Sequence, residues 1–298
     1  MTLSPDEGSA LCERAIEAAR AGADVIRSYR DREVVVSIKD GGSTLASQVV
    51  TEVDRRCEAA IVEVLRAGPG ILNAPPALLT EETQDDGQRL VRDCFWCVDP
   101  MDGTLAFTEN IPGYSVSIAL VDRSGVPLVG VVLDPVTDHL YHAVRGGGAF
   151  RNGEQWTLPP AQQAVRSTVP LTLLADHSFL NHPDRDRVMA DLDAIAFELG
   201  LSGVTTGDYA GAVLNAIRVA EQAPACYFKF PKSEPGGGSL WDFAATACIL
   251  TELGAVATDF AGQALDLNRA DSTFMNHRGA LMASNQILAA KIRTIAPF

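Results

Sequence analysis

No apolar stretch in this chain of 298 residues approaches the ~20 consecutive residues that a membrane-spanning helix requires. No internal repeat and no low-complexity tract appears, which sets aside repeat arrays and disordered linkers. Residues 1–7 are polar and acidic, so no secretory leader is expected. A disulfide framework is missing too. The six cysteines (Cys12, Cys57, Cys94, Cys97, Cys226, Cys248) lie mostly within apolar runs without framework spacing, and a reduced, cytoplasmic setting is expected. Cys94 and Cys97 have redox or zinc spacing, but no second pair and no histidine cluster accompanies them, so they read as packing on a strand. Positive charge is scarce: 24 Lys and Arg stand against 38 Asp and Glu, a formal net charge of −14. That balance argues against a nucleic-acid partner, whose phosphates are bound through Lys and Arg. What remains is a composition of 47% hydrophobic and 21% charged residues, which suits a globular enzyme of one large or two intimately packed domains.

The most informative run lies within residues 95–107. An apolar strand (Phe95, Trp96, Cys97, Val98) enters Asp99, Pro100, Met101, Asp102, Gly103 and Thr104. Pro100 has no N–H and a fixed φ, so the strand is expected to end there and to leave both carboxylates on a turn. Two acids three positions apart on a tight turn can point at one spot, and hard cations such as Mg²⁺ need such oxygen clusters. Gly103 lets backbone approach an anion, and Thr104 offers a hydroxyl. Asp, Pro and Gly are also ordinary turn formers, so the run is not decisive alone.

Three further acids sit at the ends of apolar elements. Leu78, Leu79 and Thr80 run into Glu81 and Glu82; Val49, Val50, Thr51, Glu52 and Val53 precede Asp54 before a helical pattern; Leu240 and Trp241 precede Asp242 at the start of an apolar helix reaching Leu253. Buried charge is costly there unless paired or metal-bound. In this order the motifs resemble the inositol monophosphatase superfamily of metal-dependent, lithium-sensitive phosphatases, over about residues 10–290. The resemblance implies an α/β fold, the five-layer α-β-α-β-α sandwich of that superfamily.

Along the chain, Leu11, Ala15, Ala18, Ala19 and Ala23, with Ile16 and Ile26, recur at helical spacing and predict a long first helix. Residues 34–39 read as a strand, 40–43 as a turn, and a second helix is expected after Asp54. Residues 116–121 and 128–133, separated by a turn at 122–125, predict an antiparallel hairpin, with another strand at 140–144. Later helices are expected at 187–199, 211–220 and 243–253. Two lobes are expected, residues 1–155 carrying most of the metal ligands and residues 156–298 supplying Asp242 and substrate contacts, with the cleft between them.

The resemblance also implies a site. Asp99 would bridge two Mg²⁺ ions, Glu81 and the Met101 carbonyl completing one and Asp102 and Asp242 the other, with a third, looser ion also on Glu81. Glu82 is the rival to Glu81. Glu81 and Thr104 would hold the attacking water, Asp54 would orient Thr104, and the N–H groups of Gly103 and Thr104 would hold phosphate if a helix begins there. Bound cations would also reconcile the acidic chain with an anionic substrate. Residues 205–210, including Gly207, Asp208 and Tyr209, correspond to the family's sugar-ring stretch, and Asp102 and Asp242 would reach the substrate too. Lys229 stands where inositol monophosphatases carry a glutamate and suggests a second anionic group, whereas Leu105, Ala106 and Phe107, followed by Ile111, Pro112, Gly113 and Tyr114, look more like the monophosphatase pattern. The region between Lys39 and Asp54 departs from the family's third-metal loop. The glycine-rich insertion at 233–239 is either a substrate loop or a connector.

The expected function is therefore Mg²⁺-dependent hydrolysis of a small anionic phosphate monoester of the inositol monophosphate kind. The alternatives are a 3'(2'),5'-bisphosphate nucleotidase acting on adenosine 3',5'-bisphosphate and a catalytically silent regulator of the same fold. Phosphatases with an aspartyl nucleophile use D-x-D-G-T, and Pro100 breaks that spacing. No membrane partner is expected, and the resemblance leaves room for a homodimer.

Overall fold

A computed structural model of the chain describes residues 1–30, 36–38, 49–67, 70–158 and 168–295. The turn expected at 40–43 and most of the unusual stretch between Lys39 and Asp54 lie outside the described residues.

The long first helix α1 (Pro5–Tyr29) starts at a capping box, where the Ser4 hydroxyl accepts from the Glu7 N–H and the Glu7 carboxylate accepts from the Ser4 N–H. It buries the predicted stripe of Leu11, Ala15, Ala18, Ala19, Ala23 and Ile26. A small pair, β1 (Val36–Ile38) and β2 (Val49–Thr51), leads into α2 (Glu52–Arg66). Helix α2 begins ahead of the expected point, so Asp54 lies inside its first turn. Acids there suit the positive end of the helix dipole.

Seven strands then build the first sheet: β3 (Ala77–Thr80), β4 (Cys94–Asp102), β5 (Ser115–Asp122), β6 (Pro127–Leu133), β7 (Leu140–Val144), β8 (Gly148–Arg151) and β9 (Glu154–Trp156). They lie side by side in chain order, all antiparallel except the parallel pair β3–β4. The short helix α3 (Thr104–Thr108) lies between β4 and β5. The second sheet holds β10 (Leu171–Leu174), β11 (Val204–Thr206), β12 (Ala225–Lys229), β13 (Val256–Thr258) and β14 (Ala280–Ala283), in the order β11-β10-β12-β14-β13. Helices α4 (Arg185–Glu198), α5 (Ala212–Glu221), α6 (Leu240–Glu252) and α7 (Gln286–Ile292) complete the chain.

Three apolar cores fill the four interfaces of five layers, the middle core reaching both sheets around α5 and α6. Along β4 the side chains alternate: Cys94, Trp96 and Val98 enter the core shared with α1 and α2, whereas Phe95 and Cys97 enter the core shared with α5 and α6. Cys94 and Cys97 thus face opposite ways and share no site. The far face of the second sheet packs on α4 and α7 through Leu171, Leu173, Leu192, Leu281 and Leu288. The resulting order, helices α1/α2, first sheet, helices α5/α6, second sheet, helices α4/α7, is the five-layer α-β-α-β-α sandwich. No helix among the described residues is long and apolar enough to cross a membrane.

Candidate metal centre

Strand β4 does not stop at Pro100. It continues to Asp102 through an irregularity, since Asp99 pairs with Ser117 and Asp102 pairs with Ser115, three residues spanning two on the partner. Pro100 sits in the extra step, where no ladder N–H is needed. The bulge, rather than a strand-ending turn, re-aims the chain and brings the two acids to one side. The Met101 N–H closes onto Asp99 Oδ1 at 3.0 Å, and the buried Cys57 thiol donates to the Pro100 carbonyl at 2.9 Å.

Asp242 arrives from the second half of the chain, in the first turn of α6. Ser239 caps that helix, and its N–H donates to Asp242 Oδ2 at 3.0 Å. One carboxylate oxygen of each of Asp99, Asp102 and Asp242 lies within 4.8 Å of the others. Glu81 follows β3 directly, and its N–H is bonded to the Val98 carbonyl at 3.2 Å. Val98 immediately precedes Asp99, so this bond brings Glu81 in beside Asp99. Asp99 is 2% exposed and Asp102 8%. Burial first, then the charges of Glu81, Asp102 and Asp242, push the Asp99 carboxyl well above its ordinary range. Asp102 is pushed up by burial and by Asp242. Asp242 is also pushed up by burial, and the Lys229 ammonium opposes that rise. Repelling carboxylates held together in a dry place match the all-oxygen donor set of a hard divalent cation, and the residues fit one.

Asp102 is gripped from the opposite half. Its two oxygens accept the N–H groups of Ala212 (3.0 Å) and Val213 (2.9 Å) at the start of α5. The fit is close: a Cβ at Gly211 would lie 2.2 Å from Asp102 Oδ2. Gly103, with φ +89°, precedes α3, and a Cβ there would lie 2.6 Å from the Gly113 carbonyl oxygen. Thr104 opens α3 and is buried. Its hydroxyl lies 2.9 Å from Asp54 Oδ1 and 3.1 Å from the Met101 carbonyl.

The remaining expected substrate residues divide. Gly207 packs against β10, where a Cβ would lie 2.7 Å from Leu174 Cδ1. Asp208 is exposed, and its carbonyl accepts from Arg218 at 2.9 Å. The Tyr209 ring meets His177 edge-on at 5.9 Å. Lys229 is paired, its Nζ 2.8 Å from Asp176 Oδ2. The glycine-rich insertion is tied along residues 273–276: the Met275 N–H donates to Gly238 O (2.9 Å) and the Leu240 N–H to Thr273 O (2.9 Å). Gly238, with φ +80°, lets this segment pass Asp242, where a Cβ would lie 2.8 Å from Oδ2. Trp241 packs its partly buried ring on the middle core.

Three residues were not singled out in the sequence. Buried Glu58 accepts the Glu82 N–H at 2.9 Å and so fixes the loop that carries Glu81. It lies one helical turn after Asp54, a spacing that could have drawn attention. Gly211 and Asp176 carry no local signal, because their partners are distant in the chain.

A family model described as the inositol monophosphatase family matches residues 9–296. Among similar proteins, a Nus factor SuhB of Pseudomonas aeruginosa is 33% identical, covering 83% of this chain and 84% of its own. An inositol-1-monophosphatase of Mesorhizobium japonicum is 28% identical over 94% of this chain and 93% of its own. Among solved structures, CysQ from Bacteroides thetaiotaomicron matches at a TM-score of 0.69 and 26% identity, covering 92% of this chain and 97% of that one. An inositol monophosphatase from Anabaena matches in fold at a TM-score of 0.68 and 22% identity, covering 97% and 98%. With the acids at the positions the motifs marked and the match running almost end to end, the chain belongs to the inositol monophosphatase family.

Proposed function

We propose that this chain is a Mg²⁺-dependent phosphomonoesterase acting on a small phosphorylated polyol or sugar of the inositol monophosphate kind. The observation that carries the proposal is the convergence of Asp99, Asp102 and Asp242 within 4.8 Å, with Glu81 bonded through its N–H to the residue before Asp99. Glu81, Asp99, Asp102, Asp242 and the Met101 carbonyl would hold two ions, with a third leaning on Glu81. Bound Mg²⁺ supplies charge neutralisation of the phosphoryl group and of the leaving oxygen, and makes water a better nucleophile.

The chain's own groups do the positioning. The Thr104 hydroxyl has one proton, and donating it to Asp54 at 2.9 Å leaves Oγ1 as an acceptor. A water donating to Thr104 Oγ1 and to Glu81 would thereby be oriented, and Glu81 would take its proton. The N–H groups of Gly103 and Thr104 would hold phosphate oxygens. Gly207, Asp208, Tyr209 and Lys229 would surround the alcohol part, with Asp102 and Asp242 reaching it from the metal side.

Two other readings have specific support. A basic residue at 229 suggests a bisphosphate nucleotidase, but the Lys229–Asp176 ion pair supports the polyol substrate over a second phosphate. Relatives named Nus factor support a regulator of the same fold, and the complete acid set supports an enzyme. Phosphate release from inositol 1-phosphate and adenosine 3',5'-bisphosphate, each with and without Mg²⁺, tests all three. Mg²⁺-dependent release from the first is expected; no release from either would overturn the enzyme reading.

A further inference from the structure

Strands β10 and β12 are parallel neighbours with Leu174 opposite Tyr227, so two residues beyond the end of β10 Asp176 comes opposite Lys229. The carboxyl ends of parallel strands are where α/β proteins place ligand contacts. Here that end carries a polar triad. Lys229 Nζ is 2.8 Å from Asp176 Oδ2, and the Tyr227 hydroxyl donates to Asp176 Oδ1 at 2.8 Å. Tyr227 is 1% exposed, so Asp176 is anchored from below as well as from the side. The lysine side chain is 19% exposed and that of Asp176 31%, so the pair is neither sealed in the core nor loose on the surface. The Ala175 carbonyl, next to Asp176, accepts from Asn215 of α5, the helix whose first N–H groups hold Asp102, which puts the pair beside the metal centre.

A lysine alone beside a phosphate site would attract a second anion. A lysine already matched by a carboxylate does not present that charge, yet keeps polar capacity. The ammonium has two protons left after Asp176, and the carboxylate oxygens have free lone pairs beyond their two bonds. Such a pair suits a neutral hydroxyl, which both accepts and donates.

We propose that Asp176 is a specificity-determining residue: it masks Lys229, so that this edge of the site takes a hydroxyl of an uncharged polyol and rejects a second phosphate. The inference rests on the phosphomonoesterase reading and adds the residue that sets its substrate class. Asp176→Asn keeps the shape and the Tyr227 contact but removes the countercharge, which unmasks the ammonium.

The test compares kcat/KM for inositol 1-phosphate and adenosine 3',5'-bisphosphate in the parent, D176N, K229M and the double variant, all with Mg²⁺. The expected result is a rise of at least about tenfold in the bisphosphate-to-monophosphate ratio for D176N. The gain on the bisphosphate should vanish in the double variant, and K229M alone should lower kcat/KM for inositol 1-phosphate with no selective loss on the bisphosphate. A merely structural role for Asp176 would lower both activities together and leave the ratio unmoved, which overturns the proposal. A selective loss of bisphosphate activity in K229M also overturns it, by showing an unmasked lysine in the parent, and that outcome is readable even if D176N fails to fold. Failure of the parent on both substrates defeats the phosphatase reading itself and is distinct from either result.

Discussion

Asp99 concentrates the electrostatic problem of this molecule in one side chain. It is buried against Glu81, Asp102 and Asp242, and removing its charge relieves repulsion while deleting the bridging donor. Asp99→Asn should therefore lose about a thousandfold or more in turnover, while the metal-free protein melts no lower than the parent. Phosphate-release assays and thermal melts on the same preparation check both halves, and near-parental turnover would place the centre elsewhere. The pH dependence has a definite sign. For Asp99, Asp102 and Asp242 the folded state holds the carboxyl groups above their ordinary range, through burial first and then neighbouring carboxylates. Stability therefore falls as pH rises from the ordinary carboxylate range towards the folded values, the loss is complete above them, and it is recovered as pH falls again. Divalent cations bind the ionised groups, so the melting-temperature gain from Mg²⁺ should grow as pH rises from the carboxylate range to neutrality, with protons released on binding. A gain that is flat or falls with pH contradicts this. Asp99 and Asp102 were legible in the sequence because acids, proline and glycine were adjacent. Asp176 was not, because a parallel partner across a crossover leaves no trace in local spacing.

At the level of elements, a bulged strand meets the start of a helix. The β4 irregularity turns Asp102 outward, and the first N–H groups of α5 receive it, so the helix end is satisfied by a residue from the other sheet. Gly211 makes the approach possible. Its φ is −60°, so alanine there brings no backbone strain, only a Cβ where Asp102 Oδ2 already lies. Gly211→Ala should cost about 1–3 kcal/mol of stability and at least about tenfold in kcat/KM, read by denaturant unfolding and steady-state kinetics. A variant unchanged in both would show that Asp102 is not held as described. The periodicity of α1 and the 115–133 hairpin could be read directly, since each buries one regular face. The fate of β4 could not. Proline argues against a ladder partner, but it does not say whether a strand ends or slips by one residue, and that choice was settled by Ser115 and Ser117 on β5.

For the molecule as a whole, the middle layer is decisive. Phe243, Ala244, Ala247 and Cys248 of α6 pack in one core with Phe95, Cys97, Val132 and Tyr141 of the first sheet. Arg89, 2% exposed, binds Asp85 (2.7 Å), Asn268 Oδ1 (2.7 Å) and the Arg269 carbonyl (2.8 Å), which ties the first sheet's connections to the loop after β13. Thermal unfolding followed by far-UV and near-UV circular dichroism should give coincident transitions, and residues 1–158 expressed alone should not fold. Two separated transitions would contradict that coupling. Layer order could be anticipated only through the family resemblance, because nothing in the pattern of α6 says which sheet it will cover.

That shared layer also limits how such a gene could be recombined. A hybrid spliced near residue 158 from two divergent relatives would mate one parent's sheet with the other's 240–252 helix, and their surfaces have never been selected together. Exchanging 240–252 along with the leading half, so that the helix travels with the sheet it covers, is the junction that natural or laboratory shuffling should favour.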